Sequence, residues 1–121
     1  MAYKNHWEEK GLRRVFTGNI SGEEVFGANL EIHGDARFDS INYVVNDFTQ
    51  VVEFEISEID IHKIVAIDNV AVMSNPYLKI AIVATLEPLL VWIQMYAENM
   101  RDSRYESAIF DNIYDAYSWA S

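Results

Sequence analysis

Ile41-Asn-Tyr-Val-Val-Asn-Asp-Phe48, then Ser57 to Ser74, then Asn75-Pro76 and Leu78-Lys-Ile-Ala-Ile-Val-Ala-Thr85, is the stretch whose reading decides the fold. Tyr43 to Phe48 reads as a strand closed by Asn46-Asp47. Leu78 to Thr85 reads as a second strand, with Ile80, Ile82 and Val83 and only one charge, Lys79. Between them, Ser57-Glu58-Ile59-Asp60 is a capping pattern that opens a helix, and Pro76 punctuates its end. Ile64 to Met73 is rich in Ile, Val and Ala, and Asp68-Asn69 also reads as a turn between two strands. The cap, and the crossover that buried parallel strands require, favour the helix. Strand, helix and strand then make a parallel βαβ unit.

On a helical wheel the connecting helix carries two apolar stripes. Ile61, Ile64, Val65, Ala71 and Val72 form a broad one; Ile59, Ala66, Val70 and Met73 form a narrower one on the opposite side. A helix apolar on two sides is normally buried on two sides. One side is expected on the sheet, the other on a neighbouring helix or a second subunit. Asp68 falls within the broad stripe, and a buried carboxylate is costly unless it is paired or hydrogen-bonded; it should find a partner or sit at the rim. Asp47 lies near the C-terminal end of a parallel strand, where open α/β sheets place their ligand crevices. A loop-capping aspartate that bonds local amides is the preferred reading of Asp47.

Outward from this unit, Tyr3 to Glu8 and Leu12 to Thr17 read as a hairpin around Glu9-Lys10-Gly11, with glycine at positive φ. Leu12, Arg14 and Phe16 alternate with Arg13, Val15 and Thr17. Ser21 and Glu24 form a capping box for a helix through Val25, Phe26, Ala28, Leu30 and Ile32, stopped at His33-Gly34. Asp35 to Ser40 reads as a polar loop. Pro88 fits the first turn of a helix running to about Asp102, with a main stripe of Leu89, Leu90, Trp92, Ile93, Tyr96, Ala97 and Met100. Val91 and Met95 lie off that stripe and, beside Trp92, point to a second contact. Tyr105 to Phe110 is a last short strand, and Asp111 caps a terminal helix carrying Ile113, Tyr114, Ala116, Tyr117 and Trp119. The expected fold is a single α/β domain over residues 1–121: one mixed β-sheet with an edge hairpin and about four helices.

Composition narrows the function classes. Of 121 residues half are hydrophobic, which suits a packed core and excludes disorder. A net charge of −10 excludes nucleic acid and electrostatic docking to an anionic membrane as partners. The absence of cysteine removes disulfides and thiolate chemistry and fits a cytoplasmic protein. The N-terminus shows no apolar signal region. The most apolar run, Leu86 to Ala97, is broken by Glu87, Pro88 and Gln94 and is too short to span a bilayer. His6, His33 and His62 are too scattered to suggest a metal site, and no phosphate loop, nucleophile elbow or His-Glu-x-x-His is present. No cofactor and no enzymatic activity are expected, although Asp47, Asp68 and His62 would form a catalytic cluster if the fold brought them together.

Gly18-Asn19-Ile20-Ser21-Gly22-Glu23-Glu24, the strand ending in Asp47, Ile64-Val-Ala-Ile-Asp68, Asn75 to Val83, and Phe110 with Ala116 and Trp119 occur in an order that resembles the SpoIIAA-like family. These are small bacterial proteins with the STAS fold and a kinship to Sec14-type lipid-binding domains. The resemblance covers nearly the whole chain from Leu12. It implies a STAS-type fold more than an activity. In anti-sigma-factor antagonists of this fold, a kinase phosphorylates a serine in an Asp-Ser-Ser-Gly motif at a helix N-terminus. Ser57 falls at the corresponding point, but Glu55, Ile56 and Glu58 replace the motif's other residues, and the two acids would oppose a phosphate that the helix dipole favours. A plain N-cap serine is the other reading of Ser57.

Two functions follow. One is a non-enzymatic interaction or regulatory module, a homodimer or a partner of another protein, using the second face of the Ser57–Ser74 helix or the region of Trp92 and Met95. The other is a carrier or sensor of a small apolar or lipid-like ligand, with Trp92, Tyr96, Phe54 and Trp119 lining a Sec14-like cleft. The same aromatics also read simply as core.

Overall fold

The computed structural model describes residues 2–121, and Met1 lies outside the described residues. Strands β1 (Tyr3–Trp7) and β2 (Gly11–Ser21) pair antiparallel at one edge. Beside β2 lie β3 (Tyr43–Glu55), β4 (Lys79–Val83) and β5 (Glu106–Phe110), all parallel, in a single sheet of order β1-β2-β3-β4-β5. Helices α1 (Gly22–His33), α2 (Glu58–Ala71) and α3 (Glu87–Asn99) make the crossovers, and α4 (Ile113–Ala120) closes the chain. Each crossover steps the same way along the sheet, and βαβ units are right-handed, so α1, α2 and α3 must share one face. They pack side by side there, with α2 in the middle, while α4 covers the reverse of β3, β4 and β5. The result is α/β with a single mixed sheet, as the sequence predicts.

The period-2 alternation of the strands sorts two cores. Leu12, Phe16, Val44, Phe48, Ile80 and Ile82 face the three-helix layer. Tyr43, Val45, Ala81 and Val83 face the other way, onto Ala116 and Ala120 of α4. The small residues of α4 let it approach the sheet closely. Tyr43 and Tyr117 both donate to the Glu8 carboxylate, at 2.7 and 2.8 Å, which ties α4 to the hairpin.

Several local expectations are corrected. Gly11 is not at positive φ: it pairs within β2, and Gly18 is the glycine at φ +69°. Gly18 sits where β2 shifts register against β3, a bulge that lengthens β2 to Ser21. β3 does not end at Asp47. Pairing with β4 ends there, at Asp47 opposite Val83, but β3 runs on to Glu55 beside the long β2. The segment Asp35 to Ser40 contains a 3₁₀ turn, Ala36–Ser40, around a fully buried Phe38. Asn112 and not Asp111 caps α4, its side chain accepting from the Asp115 amide at 2.9 Å. α2 ends at Ala71, short of Ser74, so Met73 falls in the following turn; with Ile59 and Val70 it is not covered within this chain, the three being 87, 70 and 66% exposed.

Candidate functional site

Among the described residues four polar ones are buried: Arg14, Asn29, Asp68 and Asn75. Asn75 is structural. Its Nδ2 donates to the carbonyls of Phe38 and Ile41 at 2.8 and 2.7 Å, pinning the 3₁₀ turn and the entry to β3. The other three meet between the sheet and the three-helix layer.

Arg14 enters this layer because it alternates with Leu12 and Phe16 on β2, and it is only 2% exposed. Its guanidinium lies 5.1 Å from the Phe16 ring centre and 5.9 Å from that of Tyr3, a cation–π setting that partly replaces water. Nη1 donates to Asn29 Oδ1 on α1 at 2.6 Å and more weakly to Asn46 Oδ1 on β3 at 3.3 Å. Asn29 Nδ2 passes the contact on to Asp68 Oδ1 on α2 at 3.0 Å. The Tyr96 hydroxyl of α3 donates to Asp68 Oδ2 at 2.6 Å. His33 Nε2, in the last turn of α1, stands 3.5 Å from Asp68 Oδ1. One strand and three helices thus supply a relay from arginine through asparagine to aspartate and tyrosine.

Burial dominates the electrostatics. It pushes the Asp68 carboxyl up to about 6, against the hydrogen bonds from Tyr96 and Asn29 and the Arg14 charge, which pull it down. Burial likewise lowers Arg14 to about 10, opposed chiefly by Asp68, so the guanidinium keeps its charge at neutral pH. His33 is lowered to about 4 by burial and then by Arg14; its ring is uncharged at neutral pH, so its approach to the Asp68 carboxylate is not an ion pair. Tyr96 is raised by burial and by Asp68.

The relay opens into a cavity of about 80 Å³ whose walls are mostly apolar. Phe16, Phe48 and Ile82 form its sheet side, and Ile64, Leu89 and Trp92 its helical side. Arg14 Nε, Arg14 Nη2 and Tyr105 Oη are buried without a hydrogen-bond partner among the described residues. Both Arg14 and Tyr105 line the cavity.

Of the residues singled out from sequence, the fold brings Asp68, Trp92 and Tyr96 to this cavity. Asp47 stays outside: its Oδ1 accepts from the Thr49 amide and hydroxyl, at 2.9 and 2.7 Å, as a local cap. Ser57 is the exposed N-cap of α2, in a reciprocal box with Asp60. Met95 packs against the core edge away from the cavity, Phe54 does not line it, and Trp119 lies on the opposite sheet face against Phe110. His62 is exposed and faces Glu58, so Asp47, Asp68 and His62 do not converge. Among the described residues no group of three His, Cys, Asp or Glu side chains is arranged to hold a metal, and no helix is long and apolar enough to cross a membrane. Arg14, Asn29, His33 and Tyr105 escaped the sequence reading. Only Arg14 carried a signal, its alternation with two core residues.

A three-layer α/β domain with an antiparallel edge hairpin and otherwise parallel order is the arrangement of the SpoIIAA-like fold. The chain has that fold: it is similar to the crystal structure of an uncharacterised protein from the DUF3478 family with a SpoIIAA-like fold from Shewanella loihica PV-4. The TM-score is 0.59 at 15% identity, over 99% of this chain and 93% of that one. No protein-family model and no curated protein matches the sequence.

Proposed function

We propose that this chain is a non-enzymatic interaction module that pairs with a second copy of itself through the outer stripe of α2. The observation that carries the reading is the exposure of Ile59 and Val70 along the outer face of α2, with Met73 exposed in the turn just past its end. Ala66 completes that stripe, and Val91 on the adjacent α3 is 60% exposed. Scattered surface apolar residues are ordinary, but an aligned set on one helix is a docking face. Two such stripes laid against each other bury the residues that give α2 its two-sided character.

Self-association of an acidic chain has a distinguishing signature. The copies repel through their net charge of −10, while the contact itself is apolar, so added salt should strengthen pairing by screening. Sedimentation equilibrium of the wild type and of Val70→Glu/Met73→Glu tests this. The expected result is a dimer that tightens with salt and a variant that is monomeric with an unchanged circular dichroism spectrum. A wild type that stays monomeric at high concentration and high salt would overturn the reading.

A further inference from the structure

The two unpartnered nitrogens of Arg14 share one edge of the guanidinium. Nη1 is committed to Asn29 and Asn46, whereas Nε and Nη2 are buried with no acceptor among the described residues. Nε–H and the adjacent Nη2–H run parallel and form the side-on fork that a carboxylate fits with two hydrogen bonds. A charged fork left unmatched in an apolar interior is costly. The neutral acceptor opposite Arg14 on β1, Asn5, has its own Oδ1 buried without a donor; one carbonyl oxygen answers one N–H, whereas a carboxylate answers both.

We propose that the cavity binds a small monocarboxylate with a compact apolar body, its carboxylate held by the Nε/Nη2 edge of Arg14. Tyr105, which lines the same cavity and whose hydroxyl is buried without a partner among the described residues, supplies a further donor. The walls set the rest of the ligand. They are apolar, and a volume of about 80 Å³ holds several waters' worth of matter, on the order of a short branched chain or one phenyl ring. The charge of the ligand is set by the relay. Asp68 already draws on the one cation through Asn29, so a single further negative charge is accommodated on the free edge and a phosphate dianion is not. Trp92, Val25 and Ile56 line the same space but are only half-buried, and a ligand would enter past them. This inference does not rest on the pairing through α2.

Selective observation of the arginine Nε–H signals in ¹⁵N-labelled wild-type protein tests it, with the Arg14 signal assigned by elimination from single lysine substitutions at Arg13, Arg37, Arg101 and Arg104. The probes are 4-methylpentanoate and phenylacetate, the uncharged 4-methylpentanamide, inorganic phosphate, and palmitate as a long-chain lipid acid. The two small carboxylates should shift the Arg14 Nε–H downfield in a saturable way. The amide should bind at least about tenfold more weakly, because it loses the charge and one of the two acceptors. Arg14→Lys, which keeps the charge but not the fork, should weaken the acids to a similar degree. The acid–amide comparison is made on the wild type, so it stands even if that variant fails to fold. The proposal is overturned if no carboxylate moves the signal at millimolar concentration, if the amide binds as well as the acid, if phosphate saturates the fork, or if palmitate outcompetes the short acids.

Discussion

Asp68 is the residue at which burial and charge pairing pull hardest in opposite directions, and replacing it with asparagine measures which wins. In Asp68→Asn the new side chain can keep both hydrogen bonds: its carbonyl accepts from Asn29, and its amide donates to a Tyr96 hydroxyl that reverses role. What the variant loses is the ability to ionise. In the folded chain the carboxyl titrates near 6 in place of 3.8, because burial outweighs the help of Tyr96, Asn29 and Arg14. Between those two values the native state holds a proton that the unfolded chain has released, so this group stabilises at low pH and its contribution is lost as pH rises through 6. On passing from pH 7 to pH 4 the wild type should therefore gain roughly 2–3 kcal/mol relative to Asp68→Asn. His33 titrates with the opposite sense over the same window, since its folded value lies near 4; it is present in both proteins and drops out of the difference to first order. Urea denaturation followed by tryptophan fluorescence, at a series of pH values for both proteins, supplies the two curves. A difference that is flat with pH, or that favours the variant in acid, would refute the reasoning. The latter would mean that the field of Arg14 outweighs burial and holds Asp68 below its ordinary value.

Asn75→Ala strips the donors from two interior carbonyls, those of Phe38 and Ile41. It should cost about 3 kcal/mol in chemical denaturation, with Asn75→Asp no better because the carboxylate cannot donate. Gly22→Ala places a methyl group against the side chain of Asp60, the residue that bonds back to the Ser57 amide. A loss of about 1–2 kcal/mol is expected, and a smaller loss in an Asp60→Ala background, where the carboxyl part of the collision is removed and only the contact with the Asp60 Cβ remains. Gly18→Ala meets no steric obstacle but forces a side chain to φ +69°. About 1 kcal/mol of destabilisation should follow, with Gly18→Asn milder, read from the same unfolding curves.

The elements legible in sequence are those whose signals are local. Both capping boxes, Ser21 with Glu24 and Ser57 with Asp60, are present as read, because each is a contact across three residues that any chain folding there will make. The βαβ unit followed from a cap and two apolar runs, and Asp68 was recognised as a carboxylate in need of partners from its place on the helical wheel. The positive φ expected at Gly11 is found at Gly18, since a glycine at a turn and a glycine at a bulge look alike until the partner strand fixes the register. Val45 and Val44 are adjacent in sequence yet serve different cores, and only the pleat and the side on which α4 docks tell them apart.

By itself the sequence determined the order of elements, the helix starts, the acidic surface and the two-sided character of α2. It also placed Arg14 between Leu12 and Phe16, though a lone arginine in a strand is more often at the surface. The tertiary structure alone decided that Arg14 is interior, that Asn29 joins it to Asp68, and that Tyr96 closes the relay. Those residues lie on β2, α1, α2 and α3. They meet because three right-handed crossovers stack their helices on one face of one sheet, over the strand that carries the arginine. A hydrogen bond between residues far apart in the chain leaves no periodicity and no motif. What fixes it is the cost of leaving a charge unmatched in the interior, and that cost exists only once the interior has formed.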